Sequence, residues 1–329
     1  MAERPEVEDP AWFESGAHSD RFGTVRARLR KLVRGSARAV RPLVGERVFE
    51  SLYALGRVGY LPRIDAPETF VEKLLWLRRY YRDPRMPALA DKLELRTYVS
   101  EVAPECRTPE VFTVSDSAEN FDFDSLPERA VIKATHGSGL VAFWSPTSDR
   151  HALRALMRRW LRRRHHDHAN EWLYAEVTPR VFAEADLSDV HGRPPPDFKL
   201  FAFGGEVGYV QVLDGRGEAL HARFFDRAWH QVPAFRRSSP GGPPSPPTSE
   251  RPPRPPELAR MIDAAERLAR PFPFVRVDCY LHRGDVYVGE LTFFPASGHP
   301  EFYPPSFDRE LSTRLVLPEA ASPFVRRGP

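Results

Sequence analysis

The sequence predicts an α+β protein in which a helical N-terminal segment leads into two α+β units built on antiparallel sheet. Three observations predict it. The first 90 residues carry apolar positions at helical spacing and no βαβ pattern. Strand–turn–strand patterns then recur at 130–144, 197–213 and 274–291. Helical stretches at 148–172 and Glu257–Arg270 separate those hairpins.

Composition narrows the class. A chain of 329 residues, 41% hydrophobic and 28% charged, is ordinary for a soluble globular protein with a sizeable core. The net charge of +3 gives no global sign of nucleic-acid binding. Cys106 and Cys279 form no CxxC and fit a reducing compartment. No apolar run approaches the ~20 residues of a membrane span, and the start, MAERPEVEDPAWFESG, has no signal-peptide core. The expected location is cytoplasmic.

Residues 1–20 read as a disordered tail and 21–107 as a helical region. Val25, Leu29, Leu32, Val33, Val40, Leu43 and Val44 place a helix within 21–60, with arginines between them. Such a basic amphipathic helix fits peripheral contact with the inner face of a membrane, or packing on the main body, which is the commoner case. In PETFVEKLLWL, Thr69 and Glu72 have capping-box spacing, and Phe70, Leu74 and Leu77 form a core stripe. A further helix from Pro87 carries Asp91, Lys92, Arg96 and Tyr98.

Residues 108–114 read as a strand and 120–128 as a polar loop. The strand Ala130–Ala134 then runs through Thr135-His136-Gly137-Ser138-Gly139 into the strand Leu140–Trp144. Glycines let backbone N–H groups approach an oxyanion closely, and Lys133 stands just upstream. Taken alone, the HGSG stretch reads more often as a plain β-turn, and Lys133 three residues upstream on a strand strengthens the phosphate-loop reading. It is no Walker loop, because neither GK[ST] nor a helix follows. His165, His166 and His168 cluster at the polar end of an Arg-rich helix and read as surface. Arg180–Ala185 is a strand ending near Glu184, Asp186 and Leu187. The hairpin 197–213 carries Asp197 and Lys199 on its polar face. Residues 239–256, PGGPPSPPTSERPPRPP with its flanks, read as a flexible excursion.

The last hairpin, FVRVDCYLHRGDVYVGELTFFPASG, offers Arg276, Asp278, Glu290 and Thr292 to one surface. Paired carboxylates repel unless a cation lies between them, and hard oxygens beside positive charge suit Mg²⁺ on a nucleotide phosphate. A half-buried hairpin with solvated charges is the alternative. The lysines are few: 31, 73, 92, 133 and 199, against a Lys+Arg total of 48. A retained lysine marks a place for a compact phosphate-binding charge, and Lys92, Lys133 and Lys199 are the three that stand in the candidate clamp stretches. Together the parts read as a nucleotide-phosphate clamp on antiparallel sheets.

Six stretches, in order, resemble the TupA-like branch of the ATP-grasp superfamily, named for teichuronopeptide biosynthesis: PETFVEKLLWL, ALADKLELRTYV, VIKATHGSG, PRVFAEADL, PDFKLFAFGGEV and FPFVRVDCYLHRGDVYVGELTFFPASG. The resemblance runs from about Gly59 to Leu315. It implies an ATP-grasp fold with two antiparallel-sheet subdomains clamping ATP, at 108–188 and 189–315, and a tail at 316–329. It implies that Lys92 and Lys133 bind ATP phosphates and that His136, Gly137, Ser138 and Gly139 cover them. Glu184, Ala185, Asp186 and Leu187 would form the adenine hinge. Asp197 would hold the ribose and Lys199 a phosphate. Asp278, Glu290 and Thr292 would bind Mg²⁺, and Arg276 would steady the reacting carboxylate. Two features depart from the pattern. Glu290-Leu291-Thr292 stands where E-x-N is usual, so one metal is expected, and the first 90 residues read as helical where a Rossmann-like domain is common, so a missing or replaced substrate platform is expected.

The activity this implies is ATP-dependent carboxylate–amine ligation through an acyl phosphate, joining an amino acid to a uronic acid or peptide-like carrier in cell-envelope polysaccharide synthesis. Arg216, His221 and Arg223 are candidates for holding the carboxylate substrate, with a structural role on a strand edge as the equal alternative. A kinase on the same fold, a glycosyltransferase-associated enzyme and a non-catalytic envelope-assembly module are the competing readings.

Overall fold

The computed structural model describes residues 46–163, 171–214, 221–236 and 252–326. The expected tail at 1–20 lies outside them. So do most of the helix expected at 21–60, the histidines at 165, 166 and 168, and most of the Pro-rich stretch.

The N-terminal part is helical, as expected: α1 (Glu46–Val58), α2 (Phe70–Tyr80), α3 (Met86–Ala90) and α4 (Leu95–Val102) precede any strand. The capping box forms. Glu72 donates its backbone N–H to Thr69 Oγ1 at 3.2 Å, and the Glu72 carboxylate accepts the Thr69 N–H at 3.1 Å. The helix expected from Pro87 through Tyr98 is two helices. Asp91 is extended, with ψ 121°, and its carboxylate accepts from the N–H groups of Leu93 (2.7 Å) and Glu94 (3.4 Å). A short acidic side chain that bonds nearby amides competes with the helix ladder. Lys92 therefore sits at a break rather than on a helix.

Strands β1 (Val111–Ser115), β2 (Ala130–Ala134), β3 (Val141–Trp144) and β4 (Val181–Ala185) form an antiparallel sheet in the order β1-β4-β2-β3. Helix α5 (Arg150–Leu161), capped by Asp149, packs Met157 and Trp160 into a core with Ile132, Trp144 and Ala183.

The second sheet holds β5 (Asp197–Phe203), β6 (Glu206–Asp214), β7 (His221–Asp226), β8 (Gln231–Val232), β10 (Phe274–His282) and β11 (Asp285–Thr292), in the order β11-β10-β5-β6-β7-β8. A small ladder pairs β9 (Phe235–Arg236) with β12 (Phe302–Tyr303). Helices α6 (Leu258–Ala269) and α7 (Pro305–Arg314) complete the unit. Directly opposed residues share a face. Asp278, Lys199 and Gln211 therefore stand in one row across β10, β5 and β6, and Phe274 with Phe203 ends the same face. Phe70 of α2 packs there, its ring centroid 5.1 Å from that of Phe274 and 5.9 Å from that of Phe203. The helical N-terminal residues thus share one core with the large sheet. The expected C-terminal tail is docked as far as it is described: Arg82 donates its N–H to the Phe324 carbonyl at 2.7 Å, and Phe324 packs edge-on against Tyr81.

Candidate functional site

The site is organised by the β10–β11 hairpin. A two-residue turn, Arg283 (φ 53°) and Gly284 (φ 79°), closes it, both residues in the left-handed region that tight hairpins require. Asp278 faces Glu290 and Arg276 faces Thr292. Pairing then shifts, Cys279 facing Val288, so Gly289 is an extra residue. A Cβ on Gly289 would lie 2.5 Å from the Tyr280 ring, which explains glycine there.

The charges interlock. Arg276 donates Nε and Nη2 to the two oxygens of Asp278 at 2.6 Å each, and Nη2 also reaches Thr292 Oγ1 (3.1 Å) and Glu290 Oε1 (3.3 Å). The Thr292 hydroxyl donates to Glu290 Oε1 at 3.1 Å. Lys199 bridges Asp278 and Asp197, the latter at 2.8 Å. Asp197, Lys199, Arg276 and Asp278 are all buried, whereas the Glu290 side chain is 28% exposed. Burial pushes the Asp278 carboxyl up, to about 6, against Arg276 and Lys199. Burial acts the same way on Glu290, but Lys92, Lys199 and Arg276 outweigh it and hold this carboxyl well below the usual range.

The small sheet reaches this hairpin through the helix break. Lys92 Nζ donates to the Gly137 carbonyl at 2.7 Å and lies 3.8 Å from Glu290 Oε2. One ammonium thus joins the loop after β2 to the carboxylate of β11. Burial lowers its pKa, Glu290 opposes the shift and Lys133 reinforces it. Lys133 is paired with Glu184, whose other oxygen accepts from Arg96 at 2.5 Å. Asp186 is held by Arg129 (2.6 Å) and Ser188. Burial opposes ionisation of Asp186, and those partners bring its pKa below the ordinary value. Leu187 lines a cleft of about 740 Å³ together with Leu213 and Leu281 of the large sheet.

The structure therefore brings Lys92, Gly137, Asp197, Lys199, Arg276, Asp278, Glu290 and Thr292 into linked contacts, and the Lys133–Glu184 pair lies within electrostatic reach of Lys92. Ser138 and Gly139 are exposed beside them. His136 is placed differently from expectation. Its ring is buried, Nε2 lies 2.9 Å from the Trp160 carbonyl, and burial pushes its pKa down. The imidazole anchors the loop to α5 instead of covering the site. Among the substrate candidates, Arg216 lies outside the described residues, and His221 is described only as the first residue of β7. Arg223 faces Val212, on the sheet face opposite Lys199 and Gln211, so the register separates it from the charged row.

Sequence reasoning missed three residues. Gln211 is buried in the charged row. Glu171 is buried and raised to about 7, chiefly by burial, with a hydrogen bond from Ser297 opposing. Burial also raises Tyr174, with Glu171 and Glu290 adding to it. A turn after β11 holds Ala296 (φ 50°) and Ser297 (φ 57°) left-handed, a costly state for residues with a Cβ. Arg78 Nη1 fixes it by donating to the Ser297 carbonyl at 2.5 Å. Only the lone polar Gln211 in an apolar strand left a signal in the sequence.

Asp278, Glu290 and Thr292 are hard oxygen donors, the set that divalent magnesium takes. Both Asp278 oxygens are engaged by cations, so the accessible ligand is Glu290. No group of three His, Cys, Asp or Glu converges on a metal position among the described residues. The oxygen chemistry of these side chains suits one hard cation, with Glu290 the ligand open to it.

Two antiparallel units meeting over lysines and carboxylates have the architecture of the ATP-grasp class. The profile of the TupA-like ATP-grasp family matches residues 72–316, and the chain belongs to that family. Solved structures similar to it include the D-alanine–D-alanine ligase of Helicobacter pylori, with 12% identity, a TM-score of 0.40 and coverage of 75% of this chain and 67% of that one. The Bacillus anthracis D-alanine–D-alanine ligase has 16% identity, a TM-score of 0.37 and coverage of 63% and 57%. The ATP-grasp ligase PsnB, complexed with a minimal precursor, has 14% identity, a TM-score of 0.36 and coverage of 65% and 55%. The chain thus spans little more than half the length of the last two. No curated protein sequence matches it. Among the described residues no helix is long and apolar enough to cross a membrane.

Proposed function

We propose that this chain is an ATP-dependent carboxylate–amine ligase acting through an acyl phosphate. We propose its substrates to be an amino acid and a uronic acid or peptide-like carrier of cell-envelope polysaccharide. The reading divides the chain into a small half at 108–188 and a large half at 189–315. One observation carries it: Lys92 touches both the Gly137 carbonyl and, at 3.8 Å, the Glu290 carboxylate. A charge-lined seam between two sheets suits a triphosphate.

In this reading Lys92, Lys133 and Lys199 neutralise phosphate oxygens, and the segment 137–139 closes over them. Lys133 exchanges its Glu184 partner for the nucleotide. Glu184 and Asp186 are tied to arginines, so the hinge offers ATP mainly backbone and the apolar wall of Leu187. Asp197 takes the ribose. Asp278, Glu290 and Thr292 would hold magnesium, which when bound supplies charge neutralisation at the triphosphate. Arg276 orients the substrate carboxylate. A carboxylate oxygen attacks the γ-phosphorus and ADP leaves. The amine then attacks the acyl carbon, phosphate departs and the amine loses a proton. Positioning and fixed charge carry the rate, and no side-chain nucleophile is required.

The test is ADP release with uronic acids paired with amino acids. Lys133→Ala is expected to lower kcat/KM by roughly 10²-fold or more, as loss of a preorganised charge contact does. No release by the wild type, or unchanged release by Lys133→Ala, would sink the reading. Calorimetry with ATP and magnesium tests the nucleotide site by itself.

A further inference from the structure

Gln211 is 1% exposed, yet among the described residues neither its amide oxygen nor its amide nitrogen has a hydrogen-bond partner. Native interiors seldom leave a buried amide unpaired, and each exception calls for a reason. The surroundings are ordered. Gln211 lies mid-strand in β6, opposite Lys199 of β5 and Phe224 of β7.

Its position follows from two axes of the sheet. Along the strands, the row of Asp197, Leu213 and Tyr280 lies nearer the cleft that Leu187 and Leu281 line. The next row holds Glu290, Asp278, Lys199 and Gln211 in that order across four strands. On the ligase reading, on which this inference rests, ATP runs along the first axis, with its base at the cleft and its triphosphate at the Asp278 row. Gln211 is then level with the phosphates but on the side away from Glu290. Neighbouring strands are ~4.8 Å apart, which puts it ~10 Å from Asp278. A base or ribose at the cleft stays a row away. The molecule that reaches Gln211 is the one that receives the phosphoryl group.

We propose that Gln211 is a specificity-determining contact for the carboxylate substrate, and that this substrate carries an amide or a hydroxyl within several ångströms of its reacting carboxylate. A primary amide presents a carbonyl acceptor and N–H donors in one plane. It is satisfied by a neutral group that both accepts and donates, which an amide or a sugar hydroxyl does and an alkyl chain does not. A site built around such a pairing rejects an analogue lacking it, because the protein's own polar group then stays unpaired.

The experiment compares wild type with Gln211→Met, an apolar replacement of similar length. Three quantities are measured: calorimetric binding of ATP with magnesium, Tm without ligand, and ADP release with three acids in the presence of an amino acid mixture. The acids are D-glucuronate, N-acetylglycine and propionate. ATP should bind both proteins alike, and Tm should hold or rise in the variant. The wild type should prefer glucuronate or N-acetylglycine over propionate by at least ~10-fold in kcat/KM, and the variant should lose that preference. Which probe is preferred separates a hydroxyl source from an amide source. A preference retained in Gln211→Met overturns the proposal. A Tm drop of several degrees also overturns it, because the amide would then have a structural role. So does a wild type that releases ADP without preference among the acids. Absence of ATP binding to the wild type, or of release with every acid, would instead sink the ligase reading.

Discussion

The two ends of one sheet face differ sharply although the same strands build them. At one end Phe203 and Phe274 meet Phe70 of α2 in edge-to-face contact. At the other, four residues along each strand, Lys199 and Asp278 are bonded within a buried charge cluster. The aromatic end needs only volume and close contact. The charged end needs a particular atom opposite another. Strands of seven and nine residues therefore anchor the chain at one end and display chemistry at the other. The lesson is separability: damage at the aromatic end should appear as lost stability, and damage at the charged end as lost geometry.

The largest expected effect is at the aromatic end. Phe274 is 2% exposed and packs against Phe70, Phe201 and Phe203. Phe274→Ala should cost about 3–5 kcal/mol of unfolding free energy, as buried Phe→Ala replacements do, read from urea unfolding. A loss below ~1 kcal/mol would show that this end is not the anchor.

A smaller effect is expected at the bulge. The extra residue Gly289 keeps Glu290 opposite Asp278, and a Cβ there would meet the Tyr280 ring at 2.5 Å. Gly289→Ala should cost roughly 1–3 kcal/mol by overpacking. The clashing atoms are the far end of a ring that can swing, so the low end of that range is expected. Tyr280→Ala should remove most of the penalty in a double-mutant cycle. Purely additive losses would mean that the glycine serves the backbone and not the ring.

Both ends were partly legible in the sequence, for different reasons. The hairpins carry period-two alternation and glycine turns, and the Thr69–Glu72 box is a purely local interaction, so each could be read without knowing the fold. The helix break at Asp91 was not legible, because an acidic residue within an otherwise helical pattern is compatible with either outcome. The direction of the His136 ring depends on α5, which supplies the Trp160 carbonyl from 24 residues away. The separation of Arg223 from Lys199 depends on register across three strands. Glu171 and Tyr174 lie beside residues that read as the end of a polar helix. Only the tertiary fold brings them within electrostatic reach of Glu290.

Glu171 gives the smallest effect and tests whether the charged end reaches beyond the hairpin. It is buried, and its pKa is raised to about 7, chiefly by that burial. An unfolded Glu titrates near ~4.3. Between these values the folded state binds more protons than the unfolded one, so stability falls as pH rises. The contribution of the protonated carboxyl is fully present below the unfolded value and is lost as pH passes through about 7. Glu171→Gln keeps a neutral side chain of the same shape, so it should resemble wild type at pH 4 and exceed it in Tm at pH 8. The gap should open across that window and close in neither buffer nor salt series, because a buried group is weakly screened. A constant Tm difference across pH would mean that Glu171 is charged throughout. The carboxyl would then be stabilised by Arg78 and the Ser297 turn, and the charged end would stop at Thr292.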